Sequence, residues 1–398
     1  MKKLFCLIFI ILFMAHKALY ANLSRAVVCV PITDLIGHPL THATYEALPL
    51  CGILPTQAAS CPRLHQLLFN EQVTVVNSES PIEGNIQVQV PHLFFITNDI
   101  NKPQQTYWMR ADHILFLDEL EKKGINYSHV PPPIKINNPQ SLEQKKVVTL
   151  CRPFYDQQTD QTYSVGTRFV KAGPATYKGQ KVYLLDGKKN TMTTVMLPKS
   201  AYIDCAKDIH EKKKQFVQLI QQWAHPKKGF IPYVFGGCSI THTSNATLFK
   251  TNESPTLATY AELPDFKHTP KPGIDCSGLV ARAAQLCGIA YFYKNTLTLA
   301  QYLPPLSKTQ KLEAGDLIWI PGHVMVVTDL KNNLMVEARS YAHEFGKVHE
   351  IALDNVFLGI KTYDNLVAAF HQKTPLKRLD KSGTIRETFK EFKLLKLV

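Results

Sequence analysis

Charge is scarce in this chain, and acid scarcer than base. Asp, Glu, Lys and Arg make 19% of the 398 residues, and 32 acids face 45 Lys and Arg, for a formal charge of +13. An apolar fraction of 45% is ordinary for a packed core, which excludes a disordered chain and a coiled coil. Long apolar runs are limited to one, near the N-terminus, which rules out a polytopic membrane protein. No C-x-x-C pair occurs among the nine cysteines, so a zinc ribbon is excluded and no metal is expected. No basic stripe carries interleaved aromatics, so nucleic acid is not an expected partner. The length suits two or three domains and is far beyond a miniprotein held by disulfides alone.

What is present begins with an address. Lys2 and Lys3 lead into the apolar stretch 4–15, and Ala18-Leu19-Tyr20-Ala21 offers small residues where a signal peptidase reads. Residues 1–21 therefore read as a secretory signal peptide, which predicts export to the periplasm or cell envelope. Its removal takes three lysines and no acid, leaving +10, a charge suited to an anionic envelope. Eight cysteines remain at 29, 51, 61, 151, 205, 238, 276 and 287, with Cys51 and Cys61 the nearest candidates for a local disulfide.

Alternating apolar runs at 27–30, 72–77, 85–90, 92–97 and 106–110 predict a small β-barrel over 22–123. Residues 124–145, with Pro131-Pro132-Pro133, read as a linker. Runs at 147–151, 162–165, 167–172, 180–185 and 193–197 predict a second small barrel over 146–204. The two units open alike, on Val27-Val28-Cys29-Val30-Pro31 and Val148-Thr149-Leu150-Cys151-Arg152-Pro153, so we read a tandem repeat. Mixed helical and strand signals over 205–372 predict an α+β domain, opening on a helix at 208–223. Residues 373–398 carry eight Lys or Arg against three acids, and Ile385, Phe389, Phe392, Leu395 and Val398 are spaced as one helical face. That tail is expected to be a helix packed on the third domain, with membrane contact as the alternative.

The chemistry concentrates in the third unit. In Asp275-Cys276-Ser277-Gly278-Leu279-Val280 the cysteine opens a helix, where free N–H groups and the macrodipole favour a thiolate. Gly278 and Ala281 would let that helix lie close to a sheet. His323 follows Gly322 at the start of a strand-like run, placed to take a proton from a thiol. Glu337, the charged interior residue of the next run, could orient the imidazole, with His343 as a second candidate and an ion pair to Arg339 as the purely structural reading. Tyr233, before Gly236-Gly237, could donate to a developing oxyanion.

Tyr233-Val234-Phe235-Gly236-Gly237, Asp275 to Val280, Gly315-Asp316-Leu317-Ile318 and Gly322-His323-Val324 together resemble the NlpC/p60 peptidase family, with 47 residues from Cys276 to His323. The likeness covers about 215–342, and the two β-rich units resemble the bacterial SH3-like domains that often precede it. It implies a papain-like core and an endopeptidase cutting between D-γ-glutamate and a diamino acid, usually meso-diaminopimelate, in peptidoglycan stem peptides. It implies Cys276 as nucleophile, His323 as base and acid, Tyr233 as a donor, and Asp275 and Ser277 as substrate-holding residues. Peptidoglycan or muropeptides are the implied partner, and no cofactor is implied. Two departures stand out: the third polar residue is Glu337 where His, Asn or Gln is usual, and the polar segment 238–272 is long and could cover a cleft. A cysteine amidase or acyl transferase on the same core, or an inactive wall-binding protein, are the alternatives.

Overall fold

The computed structural model describes residues 24–50, 61–96, 103–135, 138–142, 145–204, 206–227, 229–241, 270–291, 293–340, 343 and 345–398. The segment read as a signal peptide, Cys51 and residues 242–269 of the long inserted segment lie outside them. The fold is α+β, and its named strand pairs are antiparallel.

The N-terminal unit is a seven-stranded sheet in the order β3-β2-β6-β5-β4-β1-β7. The strands are β1 (Ser24–Val28), β2 (Ile32–Ile36), β3 (Arg63–Leu68), β4 (Gln72–Ile82), β5 (Asn85–Gln89), β6 (Tyr107–Arg110) and β7 (Ile114–Phe116). Strands β1, β4, β5 and β6 lie on the predicted alternating runs, and their inward residues Ala26, Val28, Val73, Val75, Ile86, Val88 and Met109 form one core. Strands β2 and β3 give no alternation, because β2 is buried throughout and both carry buried polar groups. Asp34 and Arg63, both fully buried, pair at 3.0 Å, and Gln66 donates to Asp34 at 2.9 Å.

The second unit pairs β8 (Val147–Leu150) with β11 (Arg168–Val170) and β14 (Tyr202–Ile203). Around that sheet lie the hairpins β9 (Phe154–Asp156) with β10 (Gln161–Tyr163) and β12 (Gln180–Asp186) with β13 (Thr191–Leu197). It shares a core with the first, in which Val27 and Phe69 pack with Leu150, Tyr163, Phe169 and Val182. The proline-rich stretch between them is no loose tether. Ile125, Val130 and Ile134 are buried, and the Pro131 and Pro132 carbonyls accept from Gln72 and Arg168 at 2.9 and 3.0 Å. Prolines offer acceptors without donors, so such a run packs only where a neighbour supplies the N–H groups.

The third unit is built on a five-stranded sheet, β20-β19-β18-β17-β23. Its strands are β17 (Leu317–Ile320), β18 (His323–Asp329), β19 (Leu334–Arg339), β20 (Lys347–Ala352) and β23 (Lys393–Leu395). Helices α3 (Ile209–Ala224) and α4 (Cys276–Leu286) cover one face through Phe216, Ile220, Leu279, Val280 and Ala283 against Leu317, Val324, Val326 and Val336. The other face buries Ile318, Met325, Val327 and Met335 under α6 (Tyr363–Gln372) and the C-terminal chain.

That chain corrects the expectation of a basic helix with a membrane-facing alternative. Residues 373–398 form the hairpin β21 (Leu376–Leu379) and β22 (Ile385–Phe389), and then β23, which adds to the sheet edge beside β17. Leu394 and Leu395 are both fully buried, one in each core, which only an extended chain lying in the sheet achieves. Gly383, at φ +83°, closes the hairpin turn that a helix would have had to cross. Lys396 adds an anchor, meeting Asp316 at 2.8 Å and Glu313 at 2.9 Å beside Lys213 of α3. Of the apolar side chains that would have faced a lipid surface, Phe389, Phe392 and Leu395 are buried, with Leu397 beside them, while Ile385 and Val398 stay exposed. Among the described residues, no helix is long and apolar enough to cross a membrane.

Candidate active site

Two short strands, β15 (Cys238–Ser239) and β16 (Gly273–Ile274), pair and lead into α4. The segment 232–237 is laid along them: Ile274 N–H donates to Pro232, Val234 N–H to Ile274, and Asp275 N–H to Gly237. Asp275 is the N-cap, its carboxylate accepting from Gly278 N–H, so Cys276 is the first helical residue. The close approach is made by missing side chains. A Cβ on Gly278 would lie 2.1 Å from the Gly237 carbonyl oxygen, and one on Gly237 would lie 2.5 Å from that of Gly273. Cys276 is a free cysteine, only 8% exposed, and packs in the same apolar cluster as Tyr233. Tyr233 is tied down by its own N–H, which donates to Gly346 at 2.9 Å.

His323 owes its position to the turn before it. Ile320 and His323 pair across Pro321-Gly322, with Pro at the first central position and Gly322, at φ +78°, at the second, the residue order of a type II turn. The imidazole therefore opens β18, and the next N–H, that of Val324, reaches the Cys276 sulfur. Across the sheet, Glu337 Oε2 lies 2.6 Å from His323 Nε2. An ionised carboxylate only accepts, so Nε2 carries the proton and Nδ1 is left as the base. Arg378 Nη2 of β21 donates to both oxygens of Glu337 at 2.9 and 2.8 Å, and His349 Nε2 stands 3.4 Å from Oε1. Of the two candidates for orienting the imidazole, Glu337 is the one in contact, while His343 Nδ1 is buried without a partner among the described residues. Glu337 is paired with Arg378 rather than with Arg339.

Asp275 and Ser277 are turned inward. Lys294 Nζ, almost wholly buried, lies 2.7 and 2.8 Å from the two Asp275 oxygens and 3.2 Å from Ser277 Oγ, which itself donates to Asp275 at 3.0 Å. These polar atoms are spent on one another and on the helix start. Lys294 was not foreseen, since a single lysine after Tyr291-Phe292-Tyr293 carries no signal. Nor was the brace from the N-terminal unit: Gln66 Oε1 accepts from Cys238 N–H and Ser239 Oγ, its Nε2 donates to Lys271, and Arg63 donates to the Phe235 carbonyl at 3.2 Å. The first unit thus holds the backbone on which the cysteine is mounted. Among the described residues, no three His, Cys, Asp or Glu side chains converge as a metal site.

The electrostatics differ from the sequence expectation at the sulfur. Burial, and then the Asp275 charge, push the Cys276 thiol up to about 12, against the pull of Val324 N–H, Lys294 and Ser277 N–H. The helix start alone does not make a thiolate here. Burial also lowers His323 to about 4, with the Glu337 bond opposing and Arg339 and Arg378 adding to the fall. Burial pushes the Glu337 carboxyl up, but the Arg378 charge and the His323 and His349 bonds outweigh it and hold the group well below the usual carboxylate range. The resting centre is a neutral thiol, a neutral imidazole and an ionised carboxylate. Between pH 6.5 and 4 the unfolded chain binds a proton at His323 that the folded chain refuses, so folding weakens as pH falls, by about 3 kcal/mol from this one group. Glu337 adds a further loss below that window. Calorimetry should show Tm falling steadily from pH 7 to pH 4.5, and a flat Tm over that range would contradict the assignment.

No protein-family model and no curated protein matches the chain. Solved structures do. An NlpC/P60 family protein from Bacillus cereus ATCC 10987 is 15% identical, aligning over 83% of this chain and 95% of its own at a TM-score of 0.48. An NlpC/P60 endopeptidase from Photobacterium damselae subsp. piscicida is 13% identical over 94% of this chain and 73% of its own, at 0.44. The peptidoglycan hydrolase RipB from Mycobacterium tuberculosis is 24% identical over 37% and 63%, at 0.24. These are distant likenesses.

Proposed function

We propose that the chain is an NlpC/p60-type cysteine peptidase of the cell wall, exported, that hydrolyses the bond between D-γ-glutamate and meso-diaminopimelate in peptidoglycan stem peptides. On this reading, residues 22–123 and 146–204 are SH3-like units and the third unit is papain-like. One observation carries it: the N–H following His323 reaches the sulfur of a free cysteine at a helix start, while His323 itself is locked at 2.6 Å to a fully buried, ionised glutamate. A glutamate serves here where the family more often has His, Asn or Gln, and Arg378 keeps it ionised.

In the scheme that follows, His323 Nδ1 takes the thiol proton as the sulfur attacks the γ-glutamyl carbonyl, because the resting thiol is neutral and the step needs a base. Glu337 stabilises the imidazolium formed and fixes which nitrogen acts. The Cys276 N–H, without an intrahelical partner in the first turn, and Tyr233 would hold the oxyanion. Collapse breaks the C–N bond, the amine leaves with the proton from His323, and water, giving its proton back to Nδ1, hydrolyses the thioester and regenerates the thiol. Digestion of purified tri- and tetrapeptide muropeptides, with the products weighed by mass spectrometry, tests the bond. L-Ala-D-Glu with free diaminopimelate-containing fragments is expected. Release at the lactyl–alanine amide would mean an amidase, and sacculus binding without any cut would mean a wall-binding protein.

A further inference from the structure

Arg339 ends β19, two residues past Glu337 and so on the same face of the sheet. It is 7% exposed, yet its guanidinium makes no hydrogen bond or ion pair among the described residues, and its Nε is sealed from water without an acceptor. The carboxylate beside it, Glu337, is taken up by Arg378, His323 and His349. Its end of the strand is the end that meets the nucleophile. Arg339 pairs in register with Lys347, Lys347 bridges Pro232, and Gly346 accepts the Tyr233 N–H, in the segment laid along the approach to Cys276. Arg339 lies within electrostatic reach of the Cys276 sulfur and of His323. His343, whose buried Nδ1 has no partner among the described residues, stands close by.

A buried guanidinium whose neighbouring carboxylate, Glu337, is already bonded to other groups weakens the fold it sits in, and its planar fork matches a carboxylate. Stability given up at such a place is typical of a site completed by its ligand. We propose that Arg339, with His343 beside it, is the carboxylate subsite of this centre and takes a free carboxylate of the peptide flanking the scissile bond. This rests on the peptidase reading above. The carboxylate can come from the α-carboxyl of the γ-linked glutamate, on the acyl side, or from the diamino acid, on the leaving side.

The test compares three stem peptides, one unmodified and one amidated at each of these carboxylates, with wild type, Arg339→Gln and Arg339→Lys. Wild type should lose at least tenfold in kcat/KM on one amidated peptide, which names the source. Arg339→Gln should cut the unmodified peptide at that reduced level and show no preference, and Arg339→Lys should keep part of it. Without ligand, the Tm of Arg339→Gln should match or exceed that of wild type, whereas a residue that holds the fold together would lower it. Equal cutting of all three peptides by wild type, or a preference surviving in Arg339→Gln, overturns the proposal. If wild type cuts none of them, the peptidase reading fails, and glutarate at millimolar concentration then decides the subsite. It should raise the Tm of wild type and not that of Arg339→Gln, and an equal response overturns the assignment.

Discussion

Arg378→Ala is expected to cost about 3–5 kcal/mol of stability and nearly all activity, although the residue lies in a hairpin that carries none of the reacting groups. The guanidinium is 3% exposed, donates to both oxygens of a carboxylate with no exposure, and rests its Nη1 at 3.5 Å from Met325 Sδ. Truncation leaves Glu337 in a closed site with two imidazoles as its remaining partners. The fold then has three ways out, each damaging: Glu337 takes a proton, His323 takes one and stops being a base, or water enters the core. In every case the balance that keeps Glu337 ionised and His323 neutral is lost. Thermal unfolding and the pH dependence of kcat/KM read this directly. Arg378→Lys should recover part of the stability, because one ammonium does not reproduce the flat fork of the guanidinium. A Tm within a degree of wild type for Arg378→Ala would show that the buried carboxylate does not depend on the tail.

Gly278→Ala is expected to damage the site severely for a change of one methyl group. In a helix, Ala ordinarily gains about 0.5–1 kcal/mol over Gly, so a loss has to come from packing. Here the new Cβ would lie 2.1 Å from a backbone oxygen, that of Gly237, with no flexible side chain to yield. Either α4 moves off or the Tyr233–Gly237 segment does, and both carry groups of the site. A shift of about 1 Å at a nucleophile is enough for on the order of 100-fold in rate. Gly173→Ala is the control, since nothing lies within 4 Å of the added atom. Kinetics and Tm of the two variants side by side decide it: a Gly278→Ala protein as active and stable as the control would mean that the close approach has no role.

The sequence exposed the reacting groups more readily than what holds them. Cys276 stands out through its helix start, His323 through the glycine before its strand, and Glu337 as the charged residue inside an apolar run. Each is a local signal, readable within ten residues. Arg378, Lys294, Gln66 and Arg63 act across gaps in the chain of 41, 19, 172 and 172 residues to their partners, and no local pattern announces them. Burial misleads as well. A strand covered on both faces shows no alternation, so β2 and β3 were invisible, though they brace the site. In the tail, Phe389, Phe392 and Leu395 fit a helical spacing, while Leu394 and Leu395, adjacent and both buried, fit only an extended strand with a core on either side. The helix start at Cys276 was legible, but its charge state was not: burial and the Asp275 carboxylate outweigh the helix N-terminus.

The central claim is that one sulfur does the chemistry, and Cys276→Ala tests it most directly. With wild-type Tm confirmed, the variant should release diaminopimelate-containing fragments from muropeptides at least 1,000-fold more slowly than wild type, as expected when a nucleophile is removed. Digestion at the wild-type rate would contradict the account.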